Sequence, residues 1–232
     1  MKQKLKYLLI LLLIPLTFFV FLNYNNTAKV NKDNTIVKEA IKEPENSTQL
    51  LKEKYNNNDI VVSISIEGMD INEAVLQYTD NDYYLTHDNY GNYDKYGSVY
   101  LDYRCNKESK KLLIFGHNYY NSSTPFSKLE NYYDESYYRQ NEYINLIIEN
   151  EKRTYQIFSV YIETKDFTYM NLKIDENRYN EDLVKYKNNS FYETGVNVSK
   201  DDEILILQTC SNNRAYKKYK NKFLLIIAKR II

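Results

Sequence analysis

Ile204-Leu-Ile-Leu-Gln-Thr-Cys210 is an aliphatic run that stops at a cysteine, and Leu112-Leu-Ile-Phe-Gly-His117 is an apolar run that stops at a histidine. Each reads as a buried strand running out into a loop, which sets a reactive side chain on the C-terminal end of a rigid element. A thiol needs a neighbouring base or cation to become a useful nucleophile near neutral pH, and an imidazole serves both purposes. The pair alone is compatible with two readings: a nucleophile with its acid/base partner, or a buried cysteine and an unrelated histidine.

Working outward, Ile60-Val-Val-Ser-Ile-Ser-Ile66 is β-branched with period-two alternation and predicts a strand. Further strands are expected at Gly97–Asp102, Lys111–Phe115, Tyr143–Glu149, Thr154–Ile162, Glu203–Thr209 and Phe223–Ile231, with helical stretches at Pro125–Glu130 and Glu176–Lys187. Many strands with a few short helices between them make a mostly β fold, an antiparallel barrel or sandwich with helical insertions. The chain has 232 residues, enough for one sizeable core. It carries 26 Tyr but no Trp, 5 Gly and 3 Pro. Asn, Asp and Ser therefore fill turns that Gly and Pro usually take. The tyrosines read as compositional bias rather than as a carbohydrate-binding surface. Formal net charge is zero, which leaves no basic excess for a phosphate backbone, so no nucleic-acid partner is expected. Two cysteines, Cys105 and Cys210, are too few for a disulfide framework or a zinc site, and neither metal nor cofactor is expected. Cys105 reads as a small, partly buried residue, and His87, in a polar turn, as a solvated loop residue.

The N-terminus divides by composition. Residues 1–6 are a basic tail, and residues 7–22, YLLILLLIPLTFFVFL, carry no charge and predict a transmembrane helix. The lysines before the run place the N-terminus inside and the remainder outside the cell. Asn23, Tyr24, Asn25 and Asn26 follow it without a close small-x-small cleavage pattern, which favours an uncleaved anchor over a signal peptide. Residues 23–58 are a polar stalk in which Ser47 to Lys54 can form a short helix, and residues 59–232 are the folded domain.

Several motifs in fixed order bear a family likeness. Phe115-Gly-His-Asn118 resembles the histidine motif of sortases, and Leu207-Gln-Thr-Cys210 resembles their cysteine motif. Gly97-Ser-Val-Tyr-Leu-Asp-Tyr-Arg104, Ile71-Asn-Glu-Ala-Val-Leu-Gln77, Asn81-Asp-Tyr-Tyr-Leu85 and Thr124-Pro-Phe-Ser-Lys-Leu129 are similar to class B segments, over roughly Asp59 to Ile232. The resemblance implies an eight-stranded β-barrel cysteine transpeptidase on the membrane of a Gram-positive-type envelope. It would cleave a C-terminal sorting signal of secreted proteins through a thioacyl intermediate on Cys210. The acyl group would then pass to an amine of peptidoglycan or of its lipid-linked precursor. His117 would protonate the leaving amine and help deprotonate the incoming one. The backbone N–H of Ser211 is one expected oxyanion donor.

The chain departs from the class B pattern in four places. Gln208 stands for the usual Ser, Ala74 for a Pro, the Trp near the first strand is missing, and no Arg begins the last strand. Lys222 lies closest to that Arg position, and Arg214, in the connecting loop, is the alternative. The missing Arg keeps open a catalytically weak or inactive surface protein of the same fold, and a pilus-type sortase is the rival within the family. A papain-like protease would place Cys before His, the reverse of the order here.

Overall fold

A computed structural model of the chain describes residues 47–119 and 124–232. The expected anchor Tyr7–Leu22 and the first part of the stalk lie outside these residues; among the described ones no helix is long and apolar enough to cross a membrane. The strands are β1 (Ile60–Ile66), β2 (Ile71–Leu76), β3 (Tyr100–Leu101), β4 (Lys111–Phe115), β5 (Tyr143–Ile148), β6 (Glu151–Glu163), β7 (Ile204–Cys210) and β8 (Phe223–Arg230). The helices are α1 (Ser47–Tyr55), α2 (Glu135–Tyr138) and α3 (Glu176–Asn189). The strands close into an eight-stranded barrel in the order β1-β2-β3-β4-β7-β8-β6-β5.

Two of its pairings, β2 with β3 and β4 with β7, are parallel, against the all-antiparallel expectation. The composition of β4 and β7 explains their place. Every residue of β4 is buried, as are Ile204 to Leu207 of β7, because both faces of these strands are covered. Strands covered on both faces read as continuous apolar runs rather than as alternating ones. In β1 the alternating Ser63 and Ser65 are buried too, since α1 packs against β1 and β5 and covers the outer face. Leu51 and Tyr55 of α1 are buried, so this part of the polar N-terminal region rests on the barrel.

Most expected elements shift at their ends, β6 for instance starting at Glu151 rather than Thr154, and three of the shifts have a local cause. Gly97–Asp102 contracts to Tyr100–Leu101, because Gly97 turns the chain with φ +57°. The strand expected over Tyr143–Glu149 ends at Ile148, since Glu149 and Asn150, both at positive φ, form the two-residue turn into β6. Pro125–Tyr133 is a 3₁₀ helix that begins on its proline, where a missing N–H costs nothing. Tyrosines build much of the core: Tyr132, Tyr155, Tyr169 and Tyr179 are buried. Their hydroxyls donate to the Asn141 carbonyl, Glu203, Gln208 and the Asp202 carbonyl respectively.

Candidate active site

The parallel pairing of β4 and β7 brings His117 and Cys210 to the same rim of the barrel. Phe115 lies opposite Gln208, and the next amide, Gly116 N–H, donates to the Gln208 carbonyl at 3.1 Å. Thr209 Oγ1 donates to the Gly116 carbonyl at 2.7 Å. Asn118 Nδ2 donates to the Cys210 carbonyl at 2.8 Å. His117 is thus held through both its neighbours to the backbone strand that carries Cys210, at a spacing of about 4.8 Å between neighbouring strands. Gly116 also lets Phe126 pack against this segment, since a Cβ there would come within 2.6 Å of the Phe126 ring.

The half-buried His117 ring donates from Nε2 to the Leu85 carbonyl at 2.9 Å and leans on Tyr119, with ring centroids 4.9 Å apart. Leu85 ends the 3₁₀ turn Tyr83–Leu85, inside a segment that resembled the class B pattern. Cys210 presents an exposed surface, yet its walls desolvate the thiol. This desolvation holds the thiol's pKa above the ordinary thiol value, and the charge of Lys222 offsets it only in part. Tyr100 and Tyr169 lie near enough to feel the thiolate charge.

Lys222 immediately precedes β8, where Phe223 pairs with Cys210, and is half-buried. Arg214 is exposed in a 3₁₀ turn of the β7–β8 loop. The structure therefore brings His117, Cys210 and Lys222 together and leaves Arg214 on the loop. The Ser211 amide is a correction to the sequence reading. It donates to the Lys222 carbonyl at 2.9 Å, completing the β7–β8 ladder, and is not available to an oxyanion.

Sequence reasoning missed the residues that hold the start of this loop. The Glu130 carboxylate accepts the Asn212 amide at 2.6 Å. Tyr133 and Ser211 share a hydroxyl hydrogen bond at 2.8 Å. Both contacts tie the 3₁₀ helix Pro125–Tyr133 to the residues just after Cys210, and no local motif announces them. Gln208, the departure from the usual Ser, accepts the Tyr169 hydroxyl at 2.7 Å.

The other candidates play structural parts. Cys105 is a buried free thiol whose burial pushes it up to about 11. Burial also pushes the Asp102 carboxyl up, but hydrogen bonds from Arg104 and Asn81 hold it below the usual carboxylate range. Arg104 continues from Asp102 to the Met170 carbonyl at 3.0 Å, tying the β3–β4 connection to the β6–β7 connection. His87 is less solvated than its polar surroundings predict. It stacks on Tyr83 at 3.9 Å and donates from Nδ1 to the Tyr83 carbonyl at 2.7 Å.

A family model described as a sortase domain matches residues 64–231. The sortase B of Listeria monocytogenes is 34% identical over 165 residues, 70% of this chain and 67% of that protein. The sortase B of Staphylococcus aureus is 31% identical over 180 residues, 75% of this chain and 71% of that protein. A sortase B structure solved in complex with triglycine is 25% identical with a TM-score of 0.78, covering 90% of this chain and 98% of the other. The eight-stranded barrel agrees with these likenesses: the chain belongs to the sortase family, as a cysteine transpeptidase of class B type.

Proposed function

We propose that Cys210 is the nucleophile, His117 its acid/base partner, and Lys222 the cation that stands where class B relatives carry arginine. The thiolate attacks the scissile carbonyl of a sorting signal, and His117 gives its proton to the leaving amine as the C–N bond breaks. The resulting thioester is attacked by a cell-wall amine, whose proton returns to His117 as the C–S bond breaks. The single observation that carries this reading is the parallel β4–β7 pairing, which sets His117 and Cys210 side by side on one rim. Lys222 is preferred to Arg214 because its charge acts on the Cys210 thiol. With the Ser211 amide engaged in the ladder, Lys222 is also the favoured donor to the oxyanion. The S. aureus and L. monocytogenes relatives and the triglycine complex support a secreted-protein donor and a peptidoglycan-type amine acceptor. Tyr7–Leu22 is proposed as the anchor that keeps the barrel at the outer face of the membrane.

The test is transfer of a sorting-signal peptide to triglycine. Cys210→Ala and His117→Ala should each nearly abolish it, and the double variant should cost little more, because residues that act jointly are non-additive. Transfer that survives Cys210→Ala, or that is lost in Cys105→Ala instead, defeats the assignment.

A further inference from the structure

Both histidines of the chain bond to the same 3₁₀ turn, and they use opposite ring nitrogens. His87 gives Nδ1 to the Tyr83 carbonyl at 2.7 Å, and His117 gives Nε2 to the Leu85 carbonyl at 2.9 Å. A carbonyl only accepts, so each of these nitrogens carries a hydrogen and the other nitrogen of each neutral ring holds the lone pair. We infer that the Leu85 carbonyl locks His117 as the Nε2–H tautomer, which makes Nδ1 its proton-exchanging nitrogen, and that Gly97 is the positioning residue that keeps this carbonyl in place. The inference rests on the acid/base role proposed above for His117.

The turn is clamped from two sides. On one, Asp80 accepts the amides of Asp82 and Tyr83 at 2.8 and 2.9 Å, and the Tyr84 hydroxyl donates to Asp59 at 2.7 Å. On the other, Ser98 N–H donates to the Tyr84 carbonyl at 3.0 Å. Gly97 lies directly against the turn at φ +57°. A Cβ there would stand 2.4 Å from the Tyr84 oxygen, 2.6 Å from the Leu85 oxygen and 2.8 Å from the Leu85 carbonyl carbon. These are backbone atoms, so a side chain at 97 forces the chain at 97 and the Tyr84–Leu85 backbone apart, which disturbs the carbonyl that holds His117.

The consequence for the reaction is a ring that need not turn over. As the leaving amine departs, the proton on Nδ1 of the imidazolium moves to it, while Nε2–H stays on the Leu85 carbonyl. The incoming amine later returns one proton to Nδ1, so both half-reactions use one nitrogen and the proton count closes.

The experiment is ¹⁵N NMR of the full-length, ¹⁵N-histidine-labelled chain in detergent micelles, at a pH where imidazole is neutral, with His87→Gln to assign the two rings. The expected spectrum shows opposite tautomers, His117 protonated on Nε2 and His87 on Nδ1. Gly97→Ala should mix or invert the His117 tautomers and lower kcat by up to about 10²-fold, the scale set by a misplacement of about 1 Å. Gly195→Ala controls for backbone strain: it has φ +76° but nothing within 4 Å of an added Cβ, and should leave both rings unchanged. His117 protonated on Nδ1 in the unaltered chain overturns the inference, whether or not Gly97→Ala folds. So does a Gly97→Ala chain that keeps both rate and tautomer. A fully active His117→Ala would overturn the acid/base reading itself, and the tautomer spectrum tells that failure from the first.

Discussion

Replacing Thr209 by Val removes one hydroxyl at the point where the two reactive strands are joined. Thr209 is buried, and its Oγ1 donates to the Gly116 carbonyl at 2.7 Å, one residue before His117 on one strand and one before Cys210 on the other. Valine fills nearly the same volume, so the perturbation is the hydrogen bond and the buried acceptor left behind, costing about 1–3 kcal/mol. For a domain of this size each kcal/mol lowers Tm by roughly 2–4 °C, so a fall of about 4–8 °C is expected for a cost near the middle of that range. Activity should suffer more than stability implies. The lost bond loosens the registration of imidazole on thiol, and kcat for peptide transfer should drop by about tenfold or more. Thr209→Ser separates the two effects: it keeps the donor and loses a methyl worth about 0.8 kcal/mol. It should therefore retain most of the activity at a modest cost in Tm. Thermal unfolding and transfer kinetics on the two variants decide the matter. A valine variant with unaltered Tm and kcat, or a serine variant slower than the valine one, would refute the reasoning.

Three further outcomes are expected. Lys222→Ala should lower kcat/KM and move the pH midpoint of Cys210 alkylation upward, since the charge that favours the thiolate is gone. Lys222→Arg should retain or improve turnover by restoring a bidentate fork, and Arg214→Ala should be inert; a crippled Arg214→Ala beside an inert Lys222→Ala would move the cation to the loop. Iodoacetamide at neutral pH should label one thiol per chain, counted by intact mass and lost in Cys210→Ala, because burial raises Cys105 to about 11; two labels in the folded chain contradict this. Burial pushes Lys111 down to about 8 from 10.5, so above pH 8 the unfolded chain holds a proton that the folded chain has released, and stability rises with pH. Cys105, raised to about 11, works in the opposite sense over this range, so the measure is the difference in urea-unfolding stability between the unaltered chain and Lys111→Met. That difference should change by about 1 kcal/mol from pH 8 to 9 in favour of the unaltered chain; equal pH slopes in the two chains would count against it.

The apolar runs of β4 and β7 made the two reactive positions visible in the sequence, because a continuous aliphatic strand ending in His or Cys is a local pattern. Their pairing was not visible. Nothing in Lys111–Phe115 or Ile204–Cys210 states that the strands run parallel, yet that relation is what joins the two ends. β3 escaped at its true size because two residues, Tyr100 and Leu101, carry no periodicity. The Leu85 carbonyl and the Ser211 amide show a deeper limit. Backbone groups look the same at every position, so their partners emerge only from register: the first turned out to hold the imidazole, and the second was taken up by Lys222. Lys222 itself could be read from its place before the last apolar run, since the β7–β8 hairpin is local.

The same contrast between local and distant pairing orders how the molecule acquires its chemistry during folding. Cys210 and Lys222 are joined by a short connection within one hairpin, and closing such a loop is fast, whereas Thr209 and Gly116 are 93 residues apart. Contacts between distant segments cost more loop entropy and slow folding as they come to dominate a topology. On the roles proposed for these residues, a newly made chain therefore meets Lys222 early and His117 only when β4 docks beside β7. With those roles, the thiol should complete acyl transfer only once the long-range contact is made, so that the appearance of transfer activity would report barrel closure.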